Sequence, residues 1–147
     1  MKCEIRECRL EDSGTIAELT SQLGYAVPVE EIKRRVRAIA DKKDHAVIVA
    51  CGPDGTVIGW MDVGLTFHLQ SGTYCEIGGL VVAASARSQG IGRELVAYAE
   101  QWAAEREVEK VLVRSNTKRE DAHRFYLREK YRMVKISAVF EKKLEAD

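Results

Sequence analysis

The chain has no long apolar segment. Apolar residues make up 46% of its 147 residues, but no run of them is long enough to cross a bilayer. The N-terminal stretch MKCEIRECRL alternates charged and apolar residues, whereas a secretory signal carries an unbroken apolar block. We therefore expect a cytoplasmic protein that makes no membrane contact.

There is also no excess of charge of one sign. Lys plus Arg and Asp plus Glu each number 23, so the formal net charge is zero. A broad nucleic-acid-binding surface requires clustered positive charge, and a balanced total argues against such a partner. It leaves room for a local basic pocket that binds a phosphorylated cofactor.

Metal-ligand spacing is absent as well. The four cysteines, Cys3, Cys8, Cys51 and Cys75, form no CxxC pair, and the three histidines do not lie near them at the spacing of a zinc site. Under cytosolic redox conditions we expect free thiols that act as small apolar residues. No metal cofactor is predicted.

Repeats, low-complexity tracts and linkers are missing too, so we expect a single domain over residues 1–147. Apolar periodicity predicts its elements. The expected strands are 3–8, 46–51, 56–65, 73–82 and 108–115, with one or two more between 133 and 144. Four helices are expected. The first runs from Ser13 to Gly24, the second follows Pro28, and the third covers 94–107, with glycines in the turn that precedes it. The fourth runs from Thr117 to Lys130, and Thr117 and Glu120 should form its capping box.

The order of these elements indicates the architecture. The turn GPDG at 52–55 joins two strands, so the three strands between residues 46 and 82 should form an antiparallel meander. The unit from 73 to 115 runs strand, helix, strand, which favours a right-handed parallel crossover. We therefore predict an α/β fold with a mixed, mostly antiparallel sheet flanked by helices.

The stretch LVVAASARSQGIGREL, residues 80–95, carries the chemistry. A buried strand ends in a short loop, and a helix follows with Gly90 and Gly92 at its start. A helix N-terminus presents unpaired N–H groups and a positive dipole, and glycines let a phosphate approach them. The pattern predicts a pyrophosphate site, to which Arg87 and Arg93 add charge.

Other glycine motifs fit less well. A Walker loop ends in Gly-Lys-Ser/Thr, whereas this loop continues Gly-Arg-Glu, and a dinucleotide fingerprint needs a third glycine that GIGREL lacks. The remaining alternative is structural, because glycines also permit close helix–sheet packing. A second pair, Gly78-Gly79, lies in the middle of a strand, where a bulge or a closely approaching cofactor backbone would explain it.

The loop Arg87-Ser88-Gln89-Gly90-Ile91-Gly92 resembles the Arg/Gln-x-x-Gly-x-Gly/Ala loop of the GNAT superfamily of N-acetyltransferases. The preceding EIGGLVV is similar to that family's fourth strand, and NTKREDAHRFYLREKYRMV resembles its closing Asn and Phe-Tyr motif. The resemblance implies a GNAT-like fold and acetyl transfer from acetyl-CoA to an amine. Lys130-Tyr131 departs from the family's common Gly-Phe, and lysine is less suited than glycine to a left-handed helix end.

The resemblance also implies roles in binding acetyl-CoA. Backbone groups of Leu80, Val81 and Val82 would bind the pantetheine arm like an added strand, and the Val82 N–H would stabilise an oxyanion. Asn116 would lie near the pantetheine. The pyrophosphate would be held by the backbone of Arg87, Ser88, Gln89, Gly90, Ile91, Gly92 and Arg93.

Two side chains are expected to move protons. The acceptor amine must lose a proton before it attacks, and the departing thiolate benefits from an acid. The resemblance implies that Glu76 is the base, directly or through water, and that Tyr126 is the acid. Each has a structural alternative, Glu76 as a solvent-facing strand carboxylate and Tyr126 as a packing residue. His123 is expected at the surface, and His68 in a loop on the acceptor side.

The predicted activity is therefore N-acetylation of a primary amine on a small molecule, by direct attack through a tetrahedral intermediate. Two alternatives stay open: acetylation of a protein N-terminus or lysine, and acyl-CoA sensing without turnover. A C-terminal strand edge that pairs with a second copy would make the protein a homodimer.

Overall fold

The computed structural model describes residues 3–145. The chain divides into two compact units, the first ending at Arg114 and the second beginning at Ser115. In the first unit, a short 3-10 turn (Leu10–Asp12) precedes α1, and a second (Ala84–Ala86) precedes α3. Its elements are β1 (Glu4–Glu7), α1 (Ser13–Ser21), α2 (Val29–Ala40), β2 (His45–Cys51), β3 (Val57–His68), β4 (Gly72–Val82), α3 (Ile91–Glu105) and β5 (Val111–Val113). The second unit contains α4 (Glu120–Arg128).

The five strands form one sheet in the order β1-β2-β3-β4-β5. The first four pair antiparallel, and β5 pairs parallel to β4. The turn predicted at 52–55 closes the β2–β3 hairpin, with the Gly52 N–H donating to the Thr56 carbonyl oxygen at 2.8 Å. The prediction of a mixed, mostly antiparallel sheet is confirmed.

The two faces of the sheet carry different helices. A Cβ on Gly59 would lie 3.5 Å from the Leu95 side chain, so this face of β3 packs against α3. Side chains alternate along a strand, and Val49 on the opposite face packs with Ile16 of α1 and Ile32 of α2. We call this second face the helix-pair face.

An ion pair joins β1 to the start of α1. Arg6 donates two hydrogen bonds to the Asp12 carboxylate, at 2.9 and 3.0 Å, and the Arg9 N–H donates a third at 2.7 Å. Asp12 is only 7% exposed. Burial alone would raise its pKa, but the Arg6 guanidinium and the Arg9 N–H lower the pKa below its ordinary value. The carboxylate is therefore charged in the folded protein at neutral pH.

The second unit corrects one prediction about its helix. Helix α4 begins at Glu120, its N-cap is Arg119, and no side chain caps it, so the predicted Thr117–Glu120 capping box is wrong. Instead, the Asn116 side chain accepts a hydrogen bond from the Lys118 N–H at 2.9 Å. A short side chain that bonds the backbone two residues on stabilises a turn in competition with helix, which delays the helix start.

Two strand predictions also need correction. Strand β5 covers three residues instead of 108–115. It ends at Val113 because its pairing with β4 stops at Ile77, directly before an irregularity in β4. No strand forms between residues 131 and 145, where one or two were expected. The apolar side chains of that segment favour a strand, but a strand also needs a neighbouring edge to pair with. Six of them are exposed: Met133, Val134, Ile136, Val139, Phe140 and Leu144.

Candidate active site

The irregularity in β4 is a bulge at the glycine pair. Asp62 is opposite Gly79 and the next residue of β3, Val63, is opposite Ile77, so Gly78 is the extra residue. A Cβ on Gly78 would lie 3.1 Å from Asp62 Oδ2, and one on Gly79 would lie 3.1 Å from the Trp60 ring. Both glycines therefore face side chains of β3 on the helix-pair face. The bulge offered for this pair by the sequence is confirmed.

Beyond the bulge, β4 has an open edge. The Ala83 N–H donates to the Ile58 carbonyl oxygen of the β3 side at 2.7 Å. Because alternate residues of an antiparallel strand turn their backbone groups to opposite sides, Val82 and Leu80 turn theirs away from β3. Among the described residues β5 pairs only with residues 75–77, so the two strands splay apart here. An extended ligand can add to this edge.

The residues of the open edge differ in their surroundings. Leu80 and Val82 are half-buried, whereas Val81 is buried in the core beneath α1 and α2. The Val82 carbonyl oxygen accepts a hydrogen bond from Arg87 Nε at 3.3 Å, and Arg87 Nη2 donates to the Gln22 side chain at the end of α1, also at 3.3 Å. Arg87 thus connects the open edge to α1.

The loop after β4 leads to the N-terminus of α3. Gly90 is the N-cap residue with φ +84°, a left-handed conformation that favours glycine, and no side chain caps the 15-residue helix. Nothing lies within 4 Å of a Cβ placed on Gly90. The first-turn N–H groups of Ile91, Gly92 and Arg93 have no acceptor within the helix. An uncapped helix start with open space in front of it fits an anion.

Glu76 lies on the helix-pair face, opposite Gly64 of β3. Its carboxylate is 3.6 Å from Arg114 Nε, and the side chain is one-quarter exposed. This places a sheltered carboxylate two residues before the bulge.

Tyr126 and Asn116 belong to the second unit. The Tyr126 ring meets Phe125 edge-on, with 5.0 Å between ring centroids, and lies 5.9 Å from Tyr131. Burial raises the pKa of the Tyr126 hydroxyl, and the charge of Arg119 opposes that rise only in part. Tyr126 is thus protonated at neutral pH and able to donate.

Comparison with known proteins identifies the family. The model of the acetyltransferase (GNAT) family matches residues 15–130. The chain belongs to this family. The aminoalkylphosphonate N-acetyltransferase of Salmonella typhimurium is 33% identical over 133 residues, which cover 88% of this chain and 85% of that protein. The chain is therefore an enzyme of the acyltransferase class, and the resemblance inferred from residues 73–131 is confirmed.

Solved structures share the fold of this acetyltransferase. A transcriptional regulator from Bacillus halodurans C-125 has a TM-score of 0.85 at 25% identity, over 96% of this chain and all of that one. The aminoglycoside N-acetyltransferase AAC(6')-Iy in complex with CoA has a TM-score of 0.86 at 16% identity, over 97% and 96% of the two chains.

The cysteines of the acetyltransferase are free thiols, as expected. Burial is the largest of the causes that raise the pKa of Cys3, Cys8 and Cys75 to about 11. At neutral pH these three residues carry thiols, and a thiol is a much weaker nucleophile than a thiolate.

The structure of the acetyltransferase places both histidines singled out from the sequence, His68 and His123. His68 was expected in a loop, but it is the last residue of β3, because its pairing with Gly72 extends that strand. Its side chain is exposed, with its ring centroid 6.0 Å from that of Tyr74. His123 is half-buried rather than on the surface, and its Nε2 lies 2.9 Å from the Asn116 carbonyl oxygen.

Within residues 3–145, no helix is long and apolar enough to cross a membrane.

Sequence reasoning missed two polar residues on the helix-pair face, His45 and Asp62. They are 17 positions apart in the chain, and their side chains form a hydrogen bond across β2 and β3. No local motif marks them, because each is an isolated polar residue with apolar neighbours in its strand. Only the pairing of the strands brings them together.

Proposed function

We propose that this acetyltransferase transfers the acetyl group of acetyl-CoA to a primary amine on a small molecule. The observation that carries the proposal is the continuous path from the open edge of β4 to the uncapped start of α3. An extended arm fits the first part and a pyrophosphate fits the second. The relative that acetylates aminoalkylphosphonates and the related fold in complex with CoA support this assignment.

In the proposed complex, backbone groups of Leu80 and Val82 bind the pantetheine arm, with Val81 between them and Asn116 as a further contact. The N–H groups of residues 87–93 hold the pyrophosphate. When bound, acetyl-CoA supplies an activated acyl group, because its thiolate is a tolerable leaving group. Our proposal needs neither a metal nor a covalent enzyme intermediate.

The proposed chemistry assigns each proton. Glu76 takes a proton from the acceptor ammonium, directly or through water, so that the amine lone pair can form the new C–N bond. The Val82 N–H stabilises the negative charge that develops on the acyl oxygen. Tyr126 gives its proton to the sulfur as the C–S bond breaks. The nitrogen loses its second proton through water to the Tyr126 phenolate, which restores the phenol, and Glu76 releases its proton to solvent. The products are an amide and free CoA.

Two glycines make a matched test of the cofactor site. Gly90 and Gly55 share φ +84°, and neither has an atom within 4 Å of an added Cβ. Gly90→Ala and Gly55→Ala therefore introduce similar backbone strain, but only Gly90 precedes α3. Calorimetry should show acetyl-CoA binding at least about tenfold weaker in Gly90→Ala, because helix N–H groups lose their alignment with the phosphates, and unchanged in Gly55→Ala. Equal affinities in both variants would contradict the proposed pyrophosphate site.

The acceptor is tested by following thiol release with a panel of amines. The panel contains alkylamines, aminoalkylphosphonates, aminoglycosides and peptides with free amines. Turnover of one small amine supports the proposal. Turnover of peptides alone would favour a protein acetyltransferase, and acyl-CoA binding without any turnover would favour a sensor. Failure to bind acetyl-CoA or longer acyl-CoAs would overturn the proposed function.

We also propose that two copies pair through residues 133–144. Over part of this segment, exposed apolar side chains alternate with polar ones. Val139 and Phe140 are adjacent, and both are exposed. A segment with this composition gains stability when a second strand covers it. Sedimentation should give a dimer, and Val139→Lys with Phe140→Lys should give a monomer. A wild-type monomer at high concentration would exclude the pairing.

A cytoplasmic location and a single domain over 1–147 remain predictions.

A further inference from the structure

A row of polar and side-chain-free positions crosses the helix-pair face beside the β4 bulge. Gly64 of β3 is paired with His45 of β2 on one side and with Glu76 of β4 on the other. Neighbouring strands are about 4.8 Å apart, so the backbones of His45 and Glu76 are separated by about 10 Å. A Cβ on Gly64 would lie 3.4 Å from His45 Cγ, which shows that the imidazole leans over this glycine.

The imidazole orients a carboxylate. His45 Nε2 hydrogen-bonds Asp62 Oδ1, and the two side chains are 31% and 35% exposed. The other oxygen, Asp62 Oδ2, lies over the extra glycine of the bulge, 3.1 Å from the position of a Gly78 Cβ. Within residues 3–145 no group donates a hydrogen bond to Oδ2. The hydrogen bond at Oδ1 therefore fixes the carboxylate, and Oδ2 is available to a ligand.

Asp62 and Glu76 have different counter-charges. Glu76 has the permanent cation Arg114 beside it, whereas Asp62 has a histidine that titrates. The hydrogen bond with Asp62 raises the pKa of His45 more than burial lowers it; Lys42 lowers it and Asp44 raises it to a smaller extent. Once His45 is neutral, no cation among residues 3–145 forms an ion pair with Asp62.

We propose that Asp62, oriented by His45, binds a second amino group of the acceptor, so that the enzyme prefers diamines and amino sugars to monoamines. The inference rests on the proposed function and names the acceptor class of that site. Asp62 and Glu76 lie diagonally across β3 and β4, with backbones about 8 Å apart from the strand spacings. An acceptor with two amino groups at this separation presents one to Glu76 for reaction and the other to Asp62. Asp62 is a binding residue, and His45 is a positioning residue.

The test compares two amines of equal length, 1,4-diaminobutane and n-butylamine. Kinetic constants are measured for the wild type, Asp62→Asn, His45→Gln and the control Glu109→Gln, which removes an exposed carboxylate outside the site. The wild type and the control should prefer the diamine in kcat/KM. In Asp62→Asn the preference for the diamine should fall about tenfold, because KM for the diamine rises when a hydrogen bond between charged groups is lost. The kcat and the acetyl-CoA affinity should change little.

The pH profile tests His45 separately. Protonated His45 neutralises Asp62, so the preference of the wild type for the diamine should fall as the pH drops through the pKa of His45. In His45→Gln that pH dependence should disappear, and this variant keeps the site testable if Asp62→Asn does not fold. A preference unchanged in Asp62→Asn, or a wild type that acetylates the monoamine equally well or neither amine, would overturn the inference. Loss of acetyl-CoA binding by the wild type would instead overturn the proposed function.

Discussion

The backbone N–H of Tyr131 donates to the carbonyl oxygen of Tyr126 at 3.0 Å and closes the end of α4 over Lys130. Lys130 adopts φ +71°, the left-handed conformation that glycine usually supplies at this position. The closure therefore forms despite the lysine, at a cost in backbone strain of about 1 kcal/mol.

Lys130→Gly should relieve this strain and raise the free energy of unfolding by about 1 kcal/mol. The control is Arg128→Gly, in the last turn of α4, which should lower stability by up to about 1 kcal/mol because glycine is a poor helix former. Urea unfolding measures both. If Lys130→Gly is less stable than the wild type, contacts of the lysine side chain stabilise the fold by more than its backbone strain costs.

The buried pair of Arg6 and Asp12 should dominate the stability of the N-terminal region. Asp12→Asn leaves the guanidinium without its carboxylate and should cost about 3 kcal/mol. Glu11→Gln changes the adjacent, exposed carboxylate, which lies 3.8 Å from Arg9, and should cost less than about 1 kcal/mol. Equal losses in thermal unfolding of the two variants would contradict a special role for the buried pair.

The same pair predicts how stability depends on pH. The pKa of Asp12 is lower in the folded protein, so its contribution is complete above the unfolded value of about 3.9 and is lost as the pH falls through the folded value. Urea unfolding between pH 7 and pH 2 should show a steeper acid loss in the wild type than in Asp12→Asn. Parallel pH profiles would assign the acid loss to other carboxylates.

Glu76→Gln should lower kcat by a factor of about 100 to 1,000, because a positioned base contributes rate enhancement of this order. Acetyl-CoA affinity should stay unchanged. Glu109→Gln is again the matched control. If kcat is retained in Glu76→Gln, another group or a water chain removes the proton, and Glu76 has only a binding or structural role.

Tyr126→Phe should lower kcat by about 100-fold and leave acetyl-CoA binding intact, because it removes the proposed acid. Since the pKa of Tyr126 is raised, its ionisation should not reduce the wild-type rate below about pH 10. Tyr98→Phe is the control, because Tyr98 also has a raised pKa but lies on α3. Full activity of Tyr126→Phe would favour a packing role for the ring.

Local patterns in the sequence were sufficient for much of the fold. Apolar segments separated by turn residues predicted β2 to β4, and the buried stripe of α3 follows from the helical spacing of Ile91, Leu95, Ala99 and Trp102, which are all buried. Gly90 marked the start of α3, because glycine adopts a left-handed conformation without steric cost. These features depend on neighbours in the chain, and the sequence displays those directly.

The errors lie where a residue depends on a distant partner. The apolar residues after Met133 looked like strands, but a strand exists only where another edge accepts its hydrogen bonds. Residues 114–115 looked like part of β5, but the bulge at Gly78 ends the pairing after Val113. The Thr117 capping box is an error of another kind, because it had the right spacing and a competing local turn at Asn116 took its place.

By itself, the sequence determined the order of the elements, the glycine loop before α3 and the family, because each of these follows from local spacing. Tertiary structure alone decided that Asp62 lies over the bulge, that His45 orients it and that Gly64 separates His45 from Glu76. These relationships depend on the register of three strands. A shift of one residue would turn each side chain to the other face of the sheet, and no local pattern specifies that register.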